Sequence, residues 1–248
     1  MWNQIPKLLI VTVAALVYSS VAHSTVDIIL NGTLYRYEAS PRLTSVLAPI
    51  ATEKDWYWPA SKVFEVNRPE VREDYYNVIA QLDELFKDAR GDSSAIASLR
   101  SIKSQLDNWF LGKRLMRRID FDRSRLFLED SPSFPQGVYR MFLTERPTDI
   151  EVFGSVSKPV NLVHRSGFTV ADYVAAANPL KKSDSDWAYL VTLSGHVEKV
   201  GIAYWNRDFR PIEPGSAIYI PITETNFLPS IAAFNQAVAE LAVNRMPK

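Results

Sequence analysis

The chain has no cysteine, only three histidines, and only nine glycines among 248 residues. Without cysteine, disulfides, a cysteine nucleophile and thiolate metal sites are excluded. None of the histidines has a second histidine at the spacing that holds zinc. Neither a glycine-rich phosphate loop nor a G-x-S-x-G nucleophile motif occurs. The sequence therefore predicts no cofactor, no metal site and no identifiable catalytic residue.

Neither sign of charge is in excess, since 28 Lys and Arg balance 28 Asp and Glu. The charges are scattered along the chain without long runs of one sign. Proteins that bind nucleic acid carry a basic patch or stripe. A nucleic-acid partner is therefore not expected.

The longest apolar run lies at the start of the chain, at Leu8–Val17, after Lys7 and before the small residues Ala22 and Ser24. This arrangement is typical of a secretory signal peptide, here residues 1–24 with cleavage near Ser24. The run is shorter than the roughly 20 residues that cross a bilayer. We therefore expect an exported chain with no transmembrane segment after cleavage.

The segment 25–146 begins like a β-grasp domain. Thr25–Leu30 and Thr33–Tyr37 are apolar strands, and the Asn-Gly pair between them predicts a tight hairpin turn. A helical turn follows at 40–47. Strands are predicted again at 111–120, 125–128 and 138–143, and Arg146-Pro147 is interpreted as the hinge to a second domain.

An aromatic cluster, Asp55-Trp56-Tyr57-Trp58-Pro59, has two interpretations. Trp56 and Trp58 could stack on sugar rings, which makes them candidate ligand-binding residues. Alternatively, the cluster is an apolar anchor that closes one domain onto another. The second interpretation is favoured because aromatic side chains bury large areas and dominate cores.

Residues 67–110 carry a helical insertion. Asn67 is a candidate cap and Pro69 suits the first turn. Gly91-Asp92-Ser93 ends the first helix and caps a second. Both helices have apolar stripes at helical spacing, and we expect the stripes to pack on each other. They comprise Val71, Tyr75, Val78, Ile79, Leu82, Leu85, Phe86 and Ala89, and then Ile96, Leu99, Ile102, Leu106 and Trp109.

The segment 147–222 repeats the β-grasp order. A strand at 150–153 turns at Gly154, Thr169 caps a short helix, and 187–200 forms a hairpin. Pro214-Gly215 then leads into a last strand at 218–220.

Residues 223–248 are predicted to form an amphipathic helix. Its apolar face carries Ile231, Phe234, Val238, Leu241 and Ala242. Its other faces carry Asn235, Gln236, Glu240 and Asn244. Docking on its own chain, docking on a partner and oligomerisation through the apolar stripe all remain open.

The pattern of Gly154, Val156 and Pro159 resembles soluble-ligand-binding β-grasp modules. It continues through Thr169, Asp172, Gly195, Pro214-Gly215-Ser216, Ile218 and Ile220. The whole arrangement is similar to the GfcC family of periplasmic capsule and exopolysaccharide biosynthesis proteins. The resemblance implies an α+β fold of two β-grasp domains, with a helical hairpin inserted in the first and a C-terminal amphipathic helix. It also implies an accessory role in capsule assembly or export, with polysaccharide or outer-membrane polysaccharide export proteins as partners.

Arg114, in Gly112-Lys113-Arg114-Leu115, is the strongest polar candidate, because a Gly-Arg-Leu type sequence stands at this join in the family. Its guanidinium could bind an acidic sugar in the cleft between domains, or form an ion pair that fixes the hairpin to the sheet. Arg146 has the same two interpretations, with the structural one favoured. The alternative function is a polysaccharide-modifying enzyme that uses Arg114 with Asp120 or Asp122.

Overall fold

The computed structural model describes residues 25–224 and 230–247. These contain two five-stranded mixed sheets with helices around them. The predicted signal peptide at 1–24 and the predicted start of the last helix at Phe227 lie outside the described residues. None of the described helices is both long and apolar enough to cross a membrane.

The first sheet has the strand order β2-β1-β5-β3-β4. Its strands are β1 Val26–Leu30, β2 Thr33–Tyr37, β3 Lys62–Glu65, β4 Lys113–Arg114 and β5 Gly137–Phe142. β1 and β5 are parallel neighbours, whereas the other pairs are antiparallel. Helix α1, Leu43–Leu47, packs its apolar side on one face of this sheet. This is the β-grasp order, and the predicted Asn31-Gly32 turn is confirmed.

The helical insertion forms α2, Pro69–Asp88, and α3, Ser93–Leu106. Asp92 caps α3 as expected, because its carboxylate accepts hydrogen bonds from the N–H groups of Ser94 and Ala95. The prediction that Asn67 caps α2 is wrong. Arg68 occupies the cap position, and Asn67 takes a left-handed φ of 62° that turns the chain into the helix.

The strand predicted at 125–128 is also wrong. The chain forms helix α4, Phe121–Leu126, followed by a 3₁₀ turn at Leu128–Asp130. The Asp120 side chain accepts a hydrogen bond from the Arg123 N–H and so starts the helix. Leu126 and Leu128 remain exposed. A strand needs a buried face and a neighbour, and the fold offers neither here.

The second sheet has the strand order β7-β6-β10-β8-β9, which corresponds strand for strand to the first. Its strands are β6 Asp149–Gly154, β7 Val160–Val163, β8 Trp187–Val191, β9 Val197–Gly201 and β10 Ala217–Ile220. Helix α5, Val170–Ala176, begins with the predicted Thr169 cap, completed by Asp172 into a capping box. The edge strand β7 was not predicted. It has only four residues, which alternate between partly buried and exposed.

The second sheet is buried on both faces. α5 packs with Ile150, Val152 and Ile218 on one face. On the other face, Phe153 and Tyr219 pack in one core with α2, α3 and the last helix, α6, Ser230–Val243. The two stripes of the hairpin therefore do more than pack on each other. The insertion in the first domain reaches across and, with α6, covers the second sheet.

Polar contacts hold the helical hairpin against the second sheet at the end of β6. The Gln105 amide accepts a hydrogen bond from the Gly154 N–H and donates one to the Gly154 carbonyl, both at 2.8 Å. The Ser101 hydroxyl donates to the Val156 carbonyl at 2.6 Å. These contacts fix the position of the helical hairpin relative to the end of β6.

Helix α6 docks on its own chain. The apolar stripe through Ile231, Phe234, Val238 and Leu241 is buried, so it offers no surface for oligomerisation. The assignment of Asn235 to a different face is wrong, since its side chain is only 1% exposed. Its amide oxygen accepts from the Tyr219 hydroxyl and the Ile222 N–H, and its amide nitrogen donates to the Ile222 carbonyl.

Replacing Asn235 by alanine should lower the free energy of unfolding by about 2 kcal/mol, since three buried polar groups lose their partner. The exposed neighbour Gln236 is the control, and Gln236→Ala should change it by less than about 0.5 kcal/mol. Urea denaturation followed by far-UV circular dichroism measures both. Equal effects of the two variants would show that Asn235 does not hold α6 on the sheet.

Candidate functional site: a cleft between the domains

A cleft of about 580 Å³ lies where the two domains meet. Trp58 and Ser61, just before β3, and Lys62, its first residue, line it from the first domain. The segment from Arg114 to Asp120 lines it beyond β4. The turn between β8 and β9 contributes Leu193, Ser194 and His196 from the second domain. The site therefore exists only when the two domains are packed together.

Arg114 is held in the cleft from three directions. On β4 it pairs with Phe64 of β3. Its N–H donates to the Asn244 side-chain oxygen at 3.0 Å, just beyond the end of α6. Its guanidinium donates to the Leu193 carbonyl in the β8–β9 turn. One arginine thus connects the first sheet, the last helix and the second sheet.

Gly195 lets this turn approach Arg114. Its φ is +92°, where side chains are rarely found, and an added Cβ would lie 3.0 Å from Arg114 Nη1 and 2.7 Å from Met116 Cε. Both the backbone conformation and the close approach require glycine here. The glycine that the sequence places in a hairpin turn therefore lies directly against Arg114 and Met116, which line the cleft.

The Arg114 side chain is partly buried, and burial lowers the pKa of its guanidinium from the usual value. Arginine remains charged in proteins even so. No carboxylate among residues 25–224 and 230–247 lies within 4.0 Å of it, since it is absent from the ion pairs of that region. The ion pair that would fix the hairpin to the sheet is thus replaced by a hydrogen bond to a backbone carbonyl.

Lys62 is a second cation in the cleft. Burial, with repulsion from Arg114 and Arg245, lowers its pKa from 10.5 to about 8, although Glu151 opposes the change. Next to it, the Ser61 hydroxyl is buried and has no hydrogen-bond partner in the described part of the chain. Sequence reasoning missed both residues. The available signal was a lysine at the start of the strand pattern Lys62-Val63-Phe64-Glu65, three positions after the aromatic cluster.

Two comparisons with known proteins bear on this architecture. A model of the N-terminal part of GfcC capsule biosynthesis proteins matches residues 22–146, and a model of their C-terminal part matches residues 158–247. The chain belongs to the GfcC family. The uncharacterized protein YjbG of Escherichia coli strain K12 is 25% identical over 171 residues, which is 69% of each chain. Membership gives this protein a role in capsule biosynthesis.

In this GfcC-family protein, two of the four predicted ligand-binding residues come together. Trp58 and Arg114 both line the cleft. The Trp56 indole N–H instead donates to the Ile50 carbonyl at 2.8 Å. Arg146 lies 5.4 Å from the ring of Tyr57 and borders a separate pocket near Gly215.

The aromatic cluster does not act as the expected anchor between domains. Trp56 and Trp58 pack against the core of the first domain, and the helical hairpin makes the crossing to the second. Trp58 therefore packs against the core of its own domain and also lines the cleft. An aromatic ring held in this way is preorganised for contact with a ligand.

The carboxylates considered for an enzyme are already engaged. Asp120 caps α4 and accepts from Arg118 at 3.3 Å. Asp122 is exposed on α4, 3.5 Å from Arg125, and is not part of the cleft wall. Glycoside hydrolysis ordinarily uses two carboxylates that face each other across the bond. The geometry of the cleft favours binding over this chemistry.

Proposed function

We propose that this protein is a periplasmic accessory factor for capsule or exopolysaccharide assembly or export, and that it binds saccharide in the cleft between its domains. The observation that carries the proposal is the Arg114 guanidinium, which reaches the cleft without a carboxylate partner among the described residues. Trp58 lines the same cleft. The predicted signal peptide supports the periplasmic location, and the family supports the polysaccharide.

The chemistry of the cleft suits a sugar. A tryptophan ring offers a broad apolar face with a polar edge. Arginine supplies several donors in a fixed plane, and hydrogen bonds from a charged group are the stronger ones. A cavity of this volume lies within the range of about 300–1,000 Å³ typical of small-molecule sites, which would take one or two sugar rings of a longer chain.

Arg114→Ala should weaken binding of the producing strain's purified surface polysaccharide by about 1 kcal/mol or more, roughly fivefold, because a charged hydrogen-bond donor is lost. Isothermal titration calorimetry measures the affinity. The matched control is Arg146→Ala, since Arg146 lies outside the cleft. Equal losses in both variants, or none in Arg114→Ala, would count against the cleft as the saccharide site.

A second candidate function is docking onto outer-membrane export proteins. The loop between β9 and β10 exposes three aromatic side chains: Tyr204 at 95%, Trp205 at 59% and Phe209 at 77%. Grouped exposed apolar side chains often mark interaction sites. If purified polysaccharide does not bind, crosslinking of Trp205→Ser and wild-type protein to the co-expressed exporter becomes the decisive comparison.

A further inference from the structure

The cleft wall contains hydrogen-bond donors that the described residues leave without acceptors. The Lys62 ammonium takes part in no ion pair or hydrogen bond there. The buried Ser61 hydroxyl has no partner. The Arg114 guanidinium donates only to the Leu193 carbonyl, although it has five N–H groups. Of the three, the Ser61 hydroxyl is fully buried, and buried polar groups in proteins are nearly always satisfied. Lys62 and Arg114 are half-buried and line the cleft beside it, so the three groups together point to an acceptor bound in the cleft.

The strand geometry places Lys62 on the side that faces the second domain. Alternate residues of β3 point to opposite faces, and Val63 lies in the core of the first domain. Phe64 therefore shares a face with Lys62, and Phe64 Cβ lies on the side of Gly112 and Met246. An apolar side chain would suit this interface better than an ammonium group. The lysine thus has no evident packing role.

The charged groups near Lys62 do not neutralise it. Arg114 and Arg245 repel it, and only Glu151 attracts it. Glu151 is itself paired with Arg245, which also lies over the rings of Trp109 and Phe153. The negative charge of Glu151 is therefore already balanced by Arg245.

The rest of the cleft wall is also cationic. Four basic side chains line it, Lys62, Arg114, Arg117 and Arg118, against the single carboxylate of Asp120. With His196 neutral, this leaves a net charge of +3. The Asp120 carboxylate already accepts hydrogen bonds from the Arg118 side chain and from the Arg123 N–H of α4. A cleft with this charge, in a chain whose formal net charge is +0, favours an anionic ligand.

We propose that the cleft binds an anionic group of the saccharide, a carboxylate or phosphate on an acidic sugar, and that Lys62 is the residue that selects for it. Ser61 supplies a neutral donor and Arg114 a second charged one. The anion satisfies all three groups. This inference rests on the proposed function, because it names the class of saccharide that the same cleft takes.

The test uses the producing strain's surface polysaccharide in three forms: native, with its carboxyl groups reduced to alcohols, and with its phosphate groups removed. Each form is titrated into wild type, Lys62→Met, Lys62→Arg and Lys113→Met. Lys113 is the matched control, since it loses the same charge at an exposed position next to Arg114 that does not line the cleft. Lys62→Arg keeps the positive charge at this position.

Wild type should bind the native polymer about tenfold more tightly than the form that lacks the recognised anion. Which neutralised form loses affinity identifies the group as carboxylate or phosphate. Lys62→Met should lower affinity for the native polymer about tenfold and leave that for the neutralised polymer unchanged. Lys113→Met and Lys62→Arg should stay near wild type. Wild-type affinity should fall between pH 7 and 9.5, but that of Lys62→Arg should not.

Three results would overturn the inference. In the first, wild type binds the native and neutralised polymers with equal affinity, or it binds tightly a surface polysaccharide that is neutral in its native form. Either outcome shows that no anion is recognised, while the saccharide function stands. An equal loss for both polymer forms in Lys62→Met shows that the lysine only supports the structure. Absence of binding to any form by folded wild type removes the saccharide function itself, and the inference with it.

Discussion

Replacing Lys62 by methionine should stabilise the folded protein at pH 7, in contrast to most substitutions of partly buried residues. Methionine has a similar length and needs no acceptor, so the variant avoids placing an unpaired ammonium at a half-buried position. Burial lowers the pKa of Lys62 from 10.5 to about 8. A change of that size corresponds to on the order of 3 kcal/mol between the charged and neutral forms, which sets the upper limit of the gain.

The pH dependence follows from the direction of that change. Between pH 8 and 10.5 the unfolded chain keeps the Lys62 proton that the folded protein has released, so this residue makes wild-type stability rise with pH across this window. Lys62→Met lacks the rise. The advantage of the variant should therefore be largest below pH 8 and fade towards pH 10.5.

Urea denaturation of wild type, Lys62→Met and Lys113→Met at pH 7 and 10 measures the effect. Lys113 is exposed on β4, and its replacement should change the free energy of unfolding by less than about 0.5 kcal/mol at either pH. A Lys62→Met variant that is less stable than wild type at pH 7 would mean that the lysine has a partner in the folded protein.

The combination of higher stability with weaker binding would identify Lys62 as a functional residue. Binding sites often retain groups that destabilise the free protein because the ligand satisfies them. A purely structural lysine would show the opposite, a loss of stability with no specific loss of affinity for the acidic polymer. The two measurements together therefore separate the roles.

Replacing Gly154 by alanine should destabilise the protein by at least about 4 kcal/mol or prevent folding, because it combines a steric clash with backbone strain. Gly154 has a φ of +100°, and an added Cβ would lie 2.4 Å from the Ile220 carbonyl oxygen and 2.5 Å from the Tyr219 ring. Both neighbours belong to β10, at the centre of the second sheet. Neither can move without disturbing the core beneath the helices.

The matched control is Gly167→Ala. Gly167 also has a positive φ, +82°, but an added Cβ would meet nothing within 4 Å. This variant should lose only about 1–2 kcal/mol, the strain of an alanine in the left-handed region. Thermal unfolding followed by circular dichroism, with yields of folded protein, compares the two. Similar small losses in both variants would contradict the close packing of β6 on β10.

Gly154 also connects the second sheet to the first domain. Its N–H and carbonyl are both bonded to Gln105 of α3, so strain at this point should loosen the hairpin. Arg114 follows that hairpin on β4 and reaches across to Leu193. The shape of the cleft therefore depends on contacts far from its wall, and a folded Gly154 variant is expected to bind saccharide more weakly.

The sequence alone determined the β-grasp architecture, because its signals are local. The Asn31-Gly32 turn, the Thr169 cap and the apolar periodicity of the hairpin helices each act within a few residues, and each formed as predicted. The same reasoning failed at 125–128, where an apolar pattern predicted a strand. The apolar residues Leu126 and Leu128 are exposed there, and Asp120 starts a helix instead. Apolar pattern predicts a strand only if a partner strand is available.

Only the tertiary structure decided which of the candidate residues come together in the cleft, and it added Ser61 and Lys62 to them. Trp58 and Arg114 are separated by a 44-residue insertion in the prediction, yet the sheet brings β3 and β4 side by side. Lys62 gained its unusual charge environment, and Asn235 its buried hydrogen bonds, from elements distant in the chain. The periodicity of a segment gives the face on which a residue lies. The element that covers that face, and hence the burial and charge of the residue, depends on long-range packing.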